Sequence, residues 1–404
     1  MKSLQLLFII SLISFSKSSL SSPWEQLLKD FGQINQVSYP CVESAASTPV
    51  EALQCVSATE AATQERVQFA GQSSLKGITT GVHLWAGDPS QDQVMALFDE
   101  LKLSSARMTM GPNWDQLKVS PPTDVSGEMM DKFIRENFNA DYPHRMSSAQ
   151  SLNEALNRKG VKKNFVQFRA PKIWRSSWGN ALKKEHVDDY ARFLTSLVKH
   201  LSDNGVTLDT IELSNEPDGS WDTSIPPERY AELVARVREE FAQRGVKMPL
   251  IAGPGVAMMK KGKAWLEAID KNPKAKLDIV SLHAWDQKLG DELDAQWVSD
   301  WAKKKKLPLQ ISEFADAKKG HGTLPDDSNN PKKSVAFTSA YGVRTYSNAL
   351  SMLNQGASEV LFWEANDQAW NHMSWGMLDA EGKSKPALEA LRTLFPHIKE
   401  SYRL

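Results

Sequence analysis

The feature that most constrains this chain is an alternation that begins after Gly71 and repeats eight times. Short apolar runs at 77–85, 105–110, 164–170, 209–215, 249–254, 278–284, 308–314 and 358–364 are rich in Val, Ile, Leu and Phe. A run of about 4–8 such residues fits a strand buried on both faces, as parallel sheets require. Between the runs lie 92–102, 149–160, 187–205, 227–245, 264–272, 295–306, 334–356 and 385–395, with apolar residues three and four apart. That spacing predicts helices with one buried face. Segments 187–205 and 227–245 both end in Gly, which suits a helix C-terminus, and Pro227 suits a first helical turn.

Eight strand–helix units predict an α/β chain folded as a closed (β/α)8 TIM barrel over residues 71–404, ahead of an open doubly wound sheet. No Gly-rich phosphate turn follows the first run, as an open nucleotide-binding sheet would need. Helix-to-strand turns are short, such as Gly160 to Lys163, whereas the strand-to-helix connections 111–147, 171–186, 315–333 and 365–384 are long. Long loops on that side build the working face of such barrels.

The residues ahead of the barrel read differently. Lys2, the apolar stretch 4–15 and a Ser-rich exit to Ser22 read as a signal peptide over 1–22. The apolar stretch is shorter than the roughly 20 residues a membrane-spanning helix needs. Residues 23–70 read as an N-terminal helical extension capping the barrel, and carry the chain's two cysteines, Cys41 and Cys55. In an oxidising compartment such a pair reads as a disulfide. The expected location is secreted or periplasmic, with no stable membrane insertion after signal removal. A charged fraction of 24% and a net charge of −1 fit a globular chain without a surface for nucleic acid. A monomer is expected. No metal-spaced His or Cys cluster and no Gly-x-Ser-x-Gly elbow occurs, so neither metal nor cofactor is expected.

Two glutamates end apolar runs: Glu216 after the fourth and Glu313 in the seventh. Strands about 4.8 Å apart and tilted about 36° give a barrel radius of roughly 7.7 Å. The chord from strand four to strand seven is then about 14 Å. Each carboxylate reaches about 4 Å inward. The remaining gap of about 6 Å is nearer the ~5–5.5 Å of retaining glycosidases than the ~6.5–9.5 Å of inverting ones.

Ser214-Asn215-Glu216-Pro217-Asp218 resembles the Asn-Glu-Pro signature of glycoside hydrolase clan A, and Glu313 in Ile-Ser-Glu-Phe is similar to that clan's strand-seven nucleophile. The resemblance spans about residues 77–395 and looks most like families 39, 30 and 5. It implies that Glu216 is the acid/base and Glu313 the nucleophile of a retaining enzyme acting on β-linked oligo- or polysaccharide. It further implies that Arg107 keeps Glu313 charged, that Asn215 bonds the sugar 2-hydroxyl, and that His283 and Trp363 border the site. Glu364, next to Trp363, is a rival carboxylate that strand alternation points to the opposite face.

Nine of the 13 tryptophans, Trp85, Trp114, Trp174, Trp178, Trp221, Trp285, Trp363, Trp370 and Trp375, fall at strand ends or in strand-to-helix loops. Indole faces suit stacking on sugar C–H groups. Asn113-Trp114 and Trp174 are read as the leading substrate platforms, with Trp285 a further contact. Two alternatives share the site: a transglycosylase, and a catalytically inactive barrel that only binds carbohydrate.

Overall fold

The computed structural model describes residues 78–87, 91–115, 117–139, 146–285, 292–315, 335–367 and 374–400. The signal segment 1–22, the cap 23–70 with Cys41 and Cys55, and Trp370 lie outside the described residues. In chain order the elements are β1 (Thr79–Trp85), α1 (Gln91–Glu100), β2 (Ser105–Thr109), α2 (Gly127–Asn137), α3 (Met146–Arg158), β3 (Lys162–Val166), α4 (Val187–Asp203), β4 (Thr210–Glu212), α5 (Pro227–Gln243), β5 (Leu250–Pro254), α6 (Gly262–Lys271), β6 (Ile279–His283), α7 (Glu292–Lys305), β7 (Leu309–Phe314), α8 (Ser339–Asn354), β8 (Glu359–Phe362) and α9 (Pro386–Glu400).

The eight strands are all parallel and pair in chain order, with β8 closing on β1. This is the (β/α)8 barrel that the alternation predicts. Closure needs close approach at β1: a Cβ on Gly81 would sit 2.2 Å from the Ser105 carbonyl oxygen of β2. The helices bury one stripe each. In α4 that stripe includes Tyr190, Phe193, Leu194, Leu197 and Leu201, and each such side chain contributes about 1.5–3 kcal/mol when fully buried. Among the described residues no helix is long and apolar enough to cross a membrane.

Two features depart from the sequence expectation. The loop 111–147 contains a helix of its own, α2, capped by the Ser126 hydroxyl accepting from the Met129 N–H at 3.3 Å. It buries Met130, Phe133 and Ile134 and packs against α4. The barrel interior is also more polar than its apolar runs suggest. Near the strand starts, Asn164 donates to Ser105 Oγ at 2.6 Å and Glu359 Oε1 at 3.1 Å, and accepts from Thr210 Oγ1 at 2.6 Å. Buried polar groups of this kind persist because each has partners.

Candidate active site

The candidate site is built around a buried cation, Arg107. Arg107 on β2 is fully buried. Its guanidinium contacts Glu212 of β4 at 2.8 Å, donates to Glu313 of β7, and donates to Asn215 Oδ1 at 2.7 Å. Burial works against its charge, but Glu212 and Glu313 hold it protonated. A guanidinium offers only donors. His83 Nδ1 and His283 Nε2 each lie 3.4 Å from it, so both nitrogens accept and each ring carries its hydrogen on the other nitrogen. Burial, followed by Arg107, holds His83 well below the ordinary histidine range. Burial likewise lowers His283, with Glu313 opposing it. Both shifts favour the neutral ring.

His283 then points Nδ1–H at both glutamates, 3.0 Å from Glu216 Oε1 and 3.2 Å from Glu313 Oε2. A carboxylate oxygen of each glutamate and a His283 nitrogen lie within 4.8 Å of one another. Glu313 also accepts from the Trp285 indole at 3.0 Å. Burial pushes its carboxyl up, opposed by His283 and the Arg107 charge.

Glu216 sits on a different support. β4 ends at Glu212, so Glu216 lies four residues beyond it, in a turn, with a left-handed φ of 41°. Its N–H reaches the Gly255 carbonyl at 3.1 Å, and its carbonyl receives the Gly219 N–H at 2.9 Å. Asp218 fixes the turn to the β5 end by accepting from the Ala257 N–H at 2.7 Å. The side chain accepts from His283 and from the Trp221 indole. Burial pushes its carboxyl up to about 8; the Trp221 N–H opposes this, and the charges of Asp222 and Asp218 add to it. Unlike Glu313, it has no Lys or Arg in contact among the described residues. The proton therefore resides on Glu216 before Glu313.

Asn215 is oriented from both sides: Oδ1 faces Arg107, and Nδ2 donates to Asp222 Oδ2 at 2.6 Å. Asp222 is in turn held by Arg169 Nε at 2.9 Å. Trp363 stacks obliquely on His83 with centroids 4.3 Å apart, and Trp85 packs on Phe168 at 5.3 Å. Together these rings line one side of the barrel mouth.

The structure thus gathers Glu216, Glu313, Arg107, Asn215, His283, Trp285 and Trp363. It does not gather Asn113, Trp114 and Trp174. Trp114 is buried among Phe133, Phe138 and Phe193, tying α2 to α4. Trp174 is completely buried against Tyr190 and Phe193. Both are anchors under long loops, without an open face for a sugar. Asn113 is exposed and turns its side chain back to the Asp115 N–H. Glu364 is corrected too: it lies beyond the end of β8, where strand alternation no longer applies, and it is buried, accepting from the Trp85 indole at 2.6 Å. Glu212, Asp222 and Phe168 were missed by sequence reasoning. The signal for Glu212 was a carboxylate inside an apolar run, four residues before Glu216.

The cluster of Glu216, His283 and Glu313 has the spacing of metal ligands. Arg107 already supplies the positive charge to Glu313, and the His283 nitrogen facing the carboxylates carries a hydrogen. The arrangement suits proton handling better than holding a cation.

A family model described as glycosyl hydrolase catalytic core matches residues 178–369, just under half of the 404-residue chain. Comparison with curated proteins finds no match. Among solved structures, the chain is similar to a glycoside hydrolase family 30 subfamily 8 xylanase from Clostridium acetobutylicum, at 14% identity and TM-score 0.53, covering 78% of this chain and 70% of that one. It is similar to a family 39 enzyme from Xanthomonas axonopodis pv. citri at 14% identity and TM-score 0.52, covering 80% and 67%. It is also similar to the family 53 catalytic domain from Ignisphaera aggregans at 13% identity and TM-score 0.52, covering 81% and 98%. At these identities the likeness establishes the fold. The matched model in turn supports a glycosyl hydrolase catalytic core on this barrel, over residues 178–369.

Proposed function

We propose that this glycosidase hydrolyses β-linked oligo- or polysaccharide with net retention, using Glu216 as acid/base and Glu313 as nucleophile. The observation that carries this reading is the convergence of both carboxylates on one His283 N–H, with oxygens within 4.8 Å of each other. Retaining enzymes hold their pair about 5–5.5 Å apart, whereas inverting enzymes leave about 6.5–9.5 Å for a water.

In the first step Glu313 attacks the anomeric carbon as Glu216 protonates the departing oxygen. The bond to the leaving group breaks, and a glycosyl ester forms on Glu313. Arg107 and Trp285 hold the attacking carboxylate ionised and oriented. In the second step Glu216, now a carboxylate, takes a proton from water, which attacks the ester and frees Glu313. Asn215, its Oδ1 committed to Arg107, turns its Nδ2 hydrogens to Asp222 and the sugar 2-hydroxyl.

Two substitutions test the assignment with aryl β-glycosides. Glu313→Ala is expected to lose activity by about 10⁴-fold or more while still binding saccharide. Glu216→Ala is expected to regain turnover of activated aryl glycosides when azide is added, with a glycosyl azide as product; no rescue counts against its role. The proposal extends to an exported protein with a Cys41–Cys55 bridge, checked by N-terminal sequencing and by mass before and after thiol alkylation.

A further inference from the structure

Both oxygens of Glu216 face hydrogen-bond donors, the His283 Nδ1–H and the Trp221 indole, so in the free enzyme neither oxygen is open to present a proton outward. An acid catalyst must instead carry a proton on one oxygen and offer it to the leaving group. One of the two donors has to withdraw. His283 cannot: it is fully buried at the end of β6, and its other nitrogen is held against Arg107. Trp221 can, because 49% of its surface is exposed and it lies on the β4-to-α5 loop. Its indole lies folded across Gly219, where a Cβ would come within 2.3 Å of the ring. The backbone beneath is fixed independently, since the Trp221 carbonyl accepts from Arg169 at 2.8 Å and Asp222 is paired with the same arginine. The ring can therefore swing while its backbone stays in place.

We propose that Trp221 is a substrate-displaced cover on the acid/base: its indole N–H occupies Glu216 Oε2 in the free enzyme, and the leaving-group side of the sugar substrate takes its place. This rests on Glu216 being the acid/base. Displacement frees Oε2 to present the Glu216 proton to the leaving group. That proton passes to the glycosidic oxygen as the C–O bond breaks and the Glu313–carbon bond forms. The charged and titratable groups facing Glu216 are His283 from β6, Glu313 from β7, Arg107 from β2, and Asp218 and Asp222 from its own loop. None of these is solvent-exposed as Trp221 is, so among the described residues the indole is the donor that substrate can exchange.

The test uses the full chain and the phenyl β-glycoside (glucoside, xyloside, mannoside or galactoside) that wild type cleaves fastest. The alkaline limb of kcat/KM reports the free enzyme, and that of kcat reports the complex. Trp221→Phe keeps a ring but loses the N–H. It should move the kcat/KM limb upward by about one pH unit and leave the kcat limb where wild type has it. Gly219→Ala, which expels the ring without altering it, should do the same. If both limbs move together, or neither moves, the cover does not exist. Glu216→Gln separates this failure from failure of the assignment itself: if the alkaline limb persists in Glu216→Gln, Glu216 is not the acid, whatever Trp221 does.

Discussion

Arg107 and Glu212 form an ion pair at 2.8 Å, sealed inside the barrel, and the same guanidinium pairs with Glu313. Burial alone would raise Glu212, but Arg107, His283 and the hydroxyls of Ser281 and Ser312 hold it below the ordinary carboxylate range. The guanidinium is thus divided between two anions, and Glu212 sets how much of its charge reaches Glu313.

Glu212→Gln follows from this directly. Removing one partner of a buried pair costs about 3–5 kcal/mol, read as a lower urea midpoint. The same change leaves the Arg107 charge to Glu313 alone, which favours the ionised nucleophile. The acid limb of kcat/KM is expected to move to lower pH. A purely structural Glu212 would lower stability with no movement of that limb.

The raised carboxyl of Glu216 gives a pH dependence of defined sign. Its ordinary value is about 4.3, and in the fold it lies at about 8. A neutral carboxyl is favoured in the native state, so the contribution to stability is complete below pH ~4.3 and declines as pH rises through about 8. Urea midpoints at pH 5 and pH 8.5 should therefore differ more in wild type than in Glu216→Gln. The alkaline limb of wild-type kcat/KM is expected near 8.

The tryptophans separate by what surrounds them, since Trp114 and Trp363 are about equally buried, at 6% and 7% exposed. Trp174→Ala and Trp114→Ala empty packed sites and should cost about 3–5 kcal/mol each, with little change in KM where the variants stay folded. Trp363→Ala, at the barrel mouth beside His83, should raise KM as well as cost stability. Thermal denaturation and saturation kinetics on the same preparations check both halves.

The barrel was legible in the sequence because strands buried on both faces leave uninterrupted apolar runs, and eight of them admit few other closures. Glu216 and Glu313 were legible because each ends such a run. Trp114 and Trp174 misled because a loop position does not say whether an indole faces solvent or a helix beneath. Helix α2, carried inside the loop, supplies that hidden surface to Trp114 together with α4, and α4 supplies it to Trp174. Glu212 was read as part of a strand because alternation does not reveal a cation across the barrel, and Arg107 is 105 positions away in the chain.

The stereochemistry of the first product tests the central claim most directly. With an aryl β-glycoside as substrate, ¹H NMR recorded before mutarotation should show the β-anomer forming first, as two inversions through Glu313 require. The α-anomer as first product would mean a single displacement by water, and would contradict Glu313 as nucleophile.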